Sequence, residues 1–270
     1  MRRLIGTILA LLLPMQVAAQ DAALQSLETT DAGRQWEAVG RLDLNGRGFC
    51  TGALIAPDLV LTAAHCLYDK RSGHRIDPET IEFLAGWRNG RASAYRQVRR
   101  AVAHPDYTFD HDLSADRVRN DVALLELQHP IRNTTVVPFE TARRPAPGDA
   151  IGIVSYAHDR SEAPSLQEVC HVISRQEGVL VMSCDVDFGS SGAPVFSFAT
   201  GTPQIVSVVS AKAEVGEGRV ALGTDLERPL ATLMTQLISG RGFNTSAPPR
   251  ANRVMVGEGT RNTGAKFIKP

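Results

Sequence analysis

Between residues 36 and 240 the chain is a succession of short apolar runs separated by turn residues, and this rhythm limits its fold more than any other property of the sequence. Ala38-Val39-Gly40, Ala53-Leu54-Ile55, Leu59-Val60-Leu61 and residues 122–127, 151–154, 179–182 and 205–209 are three to six residues long, bounded by Asn, Gly, Pro or Asp. Runs of that length and punctuation are strand-like. Many of them at such spacing suggest barrels or a sandwich. The 23 glycines and 15 prolines fit a turn-rich chain, and 270 residues, 43% hydrophobic, suffice for one or two domains with a sizeable core. One late segment changes period. Leu226, Leu230, Leu233, Met234 and Leu237 sit near helical spacing, with Pro229 near the start and Gly240 just past the end, so a single amphipathic helix closes the folded part.

The two ends read differently. Met1-Arg2-Arg3, an apolar run over 4–13, Pro14 and the small residues of Val17-Ala18-Ala19 make residues 1–19 a secretory signal peptide cleaved after Ala19. About ten apolar residues are too few to cross roughly 30 Å of hydrocarbon, so no membrane association is expected after signal removal. The protein is then secreted or periplasmic, where disulfides persist, and four cysteines permit two bridges. Residues 20–35 are polar and patternless and read as a leader or short propeptide. Residues 241–270 carry six basic residues against the single acid Glu258 and read as a basic, mobile tail. Over the whole chain 29 basic residues balance 29 acidic ones, which argues against a nucleic-acid partner, since that needs a basic excess.

Chemistry concentrates in three islands: Leu61-Thr62-Ala63-Ala64-His65-Cys66, preceded by Phe49-Cys50-Thr51-Gly52; Asn120-Asp121-Val122-Ala123-Leu124-Leu125; and Gly189-Ser190-Ser191-Gly192-Ala193-Pro194-Val195. Singly, each has a plain explanation. His65 fits a hydrogen-bonded core histidine beside a disulfide, Asp121 a turn cap before a buried strand, and residues 189–194 a small-residue loop. Together, in the order His, Asp, Ser, they supply a general base, an orienting carboxylate and a nucleophile, the three parts that activate a weakly nucleophilic hydroxyl.

These islands resemble the TAAHC, DxALL and GxSG-plus-proline segments of the chymotrypsin/trypsin-like serine peptidases. The resemblance runs over residues 36–240, with His104-Pro105, Tyr107, residues 148–156 and the closing helix as further matches. The pattern is similar to bacterial secreted members, including relatives of the glutamyl endopeptidases. It implies an all-β chain of two packed six-stranded antiparallel β-barrels with a C-terminal helix, one barrel in 36–135 and the other in 136–240. It also implies a monomeric endopeptidase acting on protein or peptide substrates, with no cofactor and no metal. Carried onto this chain, Ser191 attacks the scissile carbonyl, His65 takes its proton and passes it to the leaving amine, and Asp121 holds the His65 tautomer. The backbone N–H groups of Gly189 and Ser191 form the oxyanion hole. The histidine must be neutral to act as base, so activity is expected to rise over roughly pH 6–7.5. Cys50 with Cys66, and Cys170 with Cys184, are expected to be bridged.

The chain also departs from the family pattern. Ser190 precedes the nucleophile where animal digestive members carry an aspartate that pairs with a newly released N-terminal amine, and no Arg-Ile-Val-Gly-Gly-like site precedes Trp36. Both absences imply that the loop is ordered in some other way. Asp185, six residues before Ser191, stands where trypsin carries its pocket aspartate, which leans the preference toward Arg or Lys. Glutamyl-specific relatives share an aspartate at this offset. Ser210 resembles the serine whose segment pairs with the substrate backbone and lines the pocket. Asp187 offers a second carboxylate, Lys212 replaces a glycine and is placed to neutralise or occlude an acidic pocket, and Val209 stands where glutamyl-specific enzymes place a histidine. The cleavage preference therefore stays open. His104, Asp106, Asp110, His111, Asp112 and Asp116 hold metal-type ligands without a tight spacing and read as an exposed acidic loop, and the sequons at Asn133 and Asn244 are short matches of the kind that arise by chance. The rival from another class is a catalytically silent binding protein on the same fold; no member of the His, Asp, Ser set is missing, which speaks against it.

Overall fold

The computed structural model describes residues 21–110, 112–215 and 218–243. The expected signal peptide, Gln20, His111, the Asn244 sequon and residues 244–270 of the tail lie outside them. In chain order, β1 (Gln25–Ser26) and the short helix α1 (Thr30–Gly33) precede β2 (Val39–Leu44), β3 (Phe49–Ala56), β4 (Leu59–Thr62), β5 (Ile81–Ala85) and β6 (Ala94–Ala103). Helix α2 (Ala115–Arg119) and β7 (Ala123–Leu127) follow. Then come β8 (Ala150–Ala157), β9 (Arg160–Gln176), β10 (Val179–Met182), β11 (Pro194–Ser197), β12 (Gln204–Val215), β13 (Gly218–Asp225) and helix α3 (Glu227–Ile238).

Two closed six-stranded antiparallel barrels result. The first closes in the order β2-β3-β4-β7-β6-β5; the second runs β9-β10-β13-β12-β11-β8 and closes through β8 and β9. Short apolar runs become closed sheets because closure removes the edges on which such strands would otherwise pair with other chains. The tight β9–β10 hairpin is made by Glu177 and Gly178, both at positive φ (49° and 84°), the backbone twist that two-residue hairpins need. Ile153, Leu180 and Val195 belong to a separate core inside the second barrel. The core of the first continues between the two, where Trp36 packs its ring 5.0 Å from Phe196 and 6.0 Å from Phe139. The expected C-terminal helix is α3, which buries Leu233 and packs Leu230, Met234 and Leu237 against that core.

The segment expected as a patternless leader is packed onto the fold over its described part. β9 is 17 residues long. β8 runs along one edge, β10 covers only the stretch from Val172 to Gln176 on the other, and β1 pairs with Ser165 and Leu166 on the remainder. Leu27 is buried, and Arg88 fastens the segment from the far side. Its Nε donates to the Leu27 carbonyl at 2.9 Å, Nη2 to the Gly33 carbonyl at 3.0 Å, and Nη1 meets the buried Glu37 carboxylate at 2.7 Å. Backbone pairing and one arginine leave no apolar periodicity, so the polar composition of this stretch concealed it.

Among the described residues, the acidic loop does not gather its ligands. His104 is buried, its Nδ1 accepts the Asp106 N–H at 3.3 Å, and burial pushes it below the usual histidine range against the pull of Asp106. Ser114 caps α2 by accepting the Arg117 N–H at 3.1 Å, and Asp116 pairs with Arg119.

Candidate active site

β4 ends at Thr62 and the chain turns through a 3₁₀ helix, Ala64–Leu67, that carries His65. The turn is fastened to β3 by the Cys50–Cys66 disulfide. Asp121 sits between α2 and β7 and is fully buried. Its carboxylate reaches His65 at two points: Oδ1 accepts the His65 backbone N–H at 2.8 Å, and Oδ2 lies 2.7 Å from Nδ1. The Ser210 hydroxyl also donates to Oδ2, and the Thr224 hydroxyl donates to the Val118 carbonyl at 2.6 Å, with the Asp121 carbonyl 3.3 Å away. A buried carboxylate needs such donors, because desolvation without them would disfavour its charge. With Nδ1 committed to Asp121, Nε2 is the nitrogen left to meet a proton from the cleft.

Ser191 lies at the turn before β11, half-buried, and lines one cavity together with His65. The first barrel holds this turn. The Thr51 N–H donates to the Ser191 carbonyl at 2.8 Å, its hydroxyl donates to the Gly189 carbonyl at 2.9 Å, and that same oxygen accepts the Tyr156 N–H at 3.1 Å. In the sequence Thr51 is only a neighbour of Cys50, and nothing local signals its part. Gly192 has a φ of +76°, and a Cβ there would come within 2.1 Å of Thr62 Oγ1 and 2.4 Å of the Thr51 carbonyl. Ser190 is buried: its Oγ lies 3.2 Å from Ser155 Oγ and 3.3 Å from the Tyr156 carbonyl, and accepts the Asp187 N–H at 3.3 Å. The residue expected to need another means of ordering is thus satisfied by a neutral network.

The cavity holding His65 and Ser191 measures about 360 Å³ and is walled by Val186, Phe188, Val209 and Ala211. Its charged lining is Lys70, Arg117, Lys212 and Asp187. Lys212 Nζ lies 2.7 Å from Asp187 Oδ1 and 4.3 Å from the centre of the Phe188 ring. That bond, with the Phe188 N–H, holds the Asp187 carboxyl below its ordinary range. Ser210 lines the cavity and Asp185 does not. Its side chain is exposed and its backbone N–H is tied at 2.7 Å to Gln167 on β9, so the carboxylate that enters is Asp187, two residues on. On the other side of His65 a second cavity, about 650 Å³, extends past Phe49 and the disulfide to the loop from Tyr68 to Arg75. Cys170 and Cys184 are bridged beneath the loop that leads to Ser191. Among the described residues the convergent group of metal-type ligands is Cys50, His65 and Cys66, but both sulfurs belong to the disulfide and offer no thiolate.

Three comparisons bear on this geometry. A family model described as Trypsin matches residues 28–223. The glutamyl endopeptidase of Bacillus licheniformis is 28% identical over 150 residues, covering 55% of this chain and 45% of its own length. Mannan-binding lectin serine protease 1 of Homo sapiens is 30% identical over 125 residues, covering 42% of this chain and 17% of its own. Granzyme E of Mus musculus is 28% identical over 183 residues, covering 63% and 67%. The match thus spans less than half the length of the first two. A solved structure of a Glu endopeptidase in complex with MPD shares the fold at a TM-score of 0.64 and 18% identity, over 83% of this chain and 99% of that one.

Proposed function

The chain belongs to the trypsin family, and from that premise we propose that it is a serine endopeptidase hydrolysing peptide bonds of proteins or peptides through an acyl-enzyme on Ser191. The observation that carries this reading is the two-point hold of the Asp121 carboxylate on His65, in a residue that shares its cavity with Ser191. His65 Nε2 takes the Ser191 proton as Oγ attacks the carbonyl, and returns it to the leaving amine; water repeats the sequence to release the acid. Asp121 keeps the proton of His65 on Nδ1 and stabilises the imidazolium. The Gly189 and Ser191 N–H groups receive the developing oxyanion. The leaving chain departs past His65 toward the larger cavity. The reaction needs no cofactor, and the protein works as a monomer. Residues 1–19 direct it to a secreted or periplasmic location, with barrels in 36–135 and 136–240 and a basic tail beyond.

A fluorophosphonate probe tests the reading. The folded protein is expected to be labelled at pH 8, and Ser191→Ala to abolish the label. A folded protein that stays unlabelled returns the silent binding protein as the better account.

The cavity chemistry favours a second reading of specificity. Three cations face one carboxylate, and that carboxylate is paired with Lys212. An acidic or neutral side chain suits this lining better than the Arg or Lys suggested by Asp185, and the name of the Bacillus licheniformis relative points the same way. Profiling with a peptide library is expected to enrich Glu or Asp before the scissile bond; enrichment of Arg or Lys would favour the preference that the offset of Asp185 implies.

A further inference from the structure

The loop that carries Ser191 begins at a hydrogen bond outside the cleft. Asp185 follows the bridged Cys184 and donates its N–H to Gln167 Oε1 at 2.7 Å. Gln167 is only 4% exposed. Its amide nitrogen donates at 2.9 Å to the carbonyl of Ala22, 145 positions away in the chain. Ala22 in turn donates its N–H to the Val169 carbonyl at 2.8 Å, and Leu27 to the Pro164 carbonyl at 2.9 Å, so the segment 22–27 runs antiparallel to β9. One side chain therefore joins the N-terminal segment to the active-site loop.

The two bonds orient each other. An amide oxygen and nitrogen are opposite ends of one rigid plane, so seating Nε2 on Ala22 aims Oε1 at the Asp185 N–H. Unseating the segment takes away the acceptor that fixes the amide, which is then free to turn and no longer holds its oxygen on the Asp185 N–H. From Asp185 the chain passes directly through Val186, Asp187 and Phe188, which wall the cavity, to Ser191. Farther along, the loop is held by His158, whose N–H meets the Phe188 carbonyl at 2.7 Å, and by Thr51. Its entry is held by the Cys170–Cys184 bridge, by the pairing of Ser183 with His171 and, at Asp185, by Gln167.

We infer that Gln167 is a positioning residue for the active-site loop, and that residues 22–27 act through it as a built-in strap. With the strap docked on β9, residues 185–191 hold Ser191 in line with His65; with the strap lifted, the loop loosens. The coupling is reciprocal, because any two linked docking equilibria bias each other equally. The activity readout below rests on the serine-endopeptidase reading; the exchange readout does not.

The test is a double-mutant cycle in the full chain. Ala22→Pro removes the N–H that meets Val169, and Gln167→Ala removes the bridge. Each variant is measured for its rate of fluorophosphonate labelling, for hydrogen exchange at the Asp185 amide, and for melting temperature. Both single variants are expected to be labelled about 10- to 100-fold more slowly, the scale of rate lost when a reacting group shifts by an ångström. Ala22→Pro is expected to speed exchange at Asp185, and the double variant to be no slower than Gln167→Ala alone, because strap and bridge act in series. Additive effects overturn the inference, as does an unchanged Asp185 exchange in Ala22→Pro, or a lowered melting temperature with labelling unchanged. Where Gln167→Ala does not fold, the Asp185 exchange of Ala22→Pro decides. Wild-type protein that resists the probe, while Ala22→Pro still speeds Asp185 exchange, would keep the strap and discard the peptidase.

Discussion

Gly189 adopts a φ of +101°, and a Cβ there would come within 2.4 Å of the Phe49 ring and 3.0 Å of the Ala157 Cα. Even alanine must displace the Phe49 ring or the peptide whose N–H we assign to the oxyanion, and it strains that peptide at this φ. Gly189→Ala is expected to lower kcat about 10²- to 10³-fold, the cost of losing one such donor, with KM changed far less. Equal kcat in the variant would remove Gly189 from that assignment. The Asp187–Lys212 pair makes a prediction about pH. Its folded-state carboxyl lies below the ordinary aspartate range, so its contribution is present above the unfolded value and is lost as pH falls through the folded one. Both side chains are nearly half exposed (47% and 46%), which keeps that contribution small. The melting-temperature gap between wild type and Asp187→Asn is therefore expected to be small at pH 7 and to close below about pH 4. At this scale the sequence showed which residue types carry chemistry, but offset alone does not say which carboxylate lines the cavity. Asp185 and Asp187 are two positions apart; the first has its N–H tied to Gln167 and the second, bonded to Lys212, lines the cavity.

The 3₁₀ turn of His65 is bound to β3 through Cys50 and Cys66, which close a loop of 16 positions. Replacing both with alanine is expected to cost roughly 3 kcal/mol in the chain-entropy model, read as a lowered urea midpoint, and to slow fluorophosphonate labelling as the histidine turn loosens. An unchanged midpoint would show that the barrel alone holds the turn. Elements with a strong period were legible beforehand: the runs at 59–61, 122–127 and 179–182 became β4, β7 and β10, and the leucines after 225 became α3. β1 was not. Two exposed residues paired to a strand edge carry no apolar pattern, and Arg88, which fastens the segment, lies over fifty positions downstream of Gly33.

Across the whole molecule the site is split between barrels, with His65 and Asp121 on the first and Ser191 on the second. Thr51 ties the halves together. Thr51→Val keeps the shape but removes the hydroxyl shared by the Gly189 carbonyl and the Tyr156 N–H. Stability is expected to fall by about 1–3 kcal/mol and kcat/KM by about tenfold or more; a stability loss with kcat/KM intact would reduce Thr51 to a structural link. Charge is also uneven at this scale. The two arginines of 1–19 and the net excess of five positive charges in 241–270 leave residues 20–240 at −7 within a neutral chain. What the sequence by itself determined was local: the period of each strand and helix, the turn residues, and the residue types of the three islands, all set by neighbours a few positions apart. Tertiary structure alone decided that Asp187 faces Lys212, that Thr51 and Ser210 converge on the loop and on Asp121, and that a polar leader is a strand joined to the active site through Gln167. Those contacts bring together positions up to 145 residues apart, and their partners are chosen by barrel closure and burial, which no local pattern records.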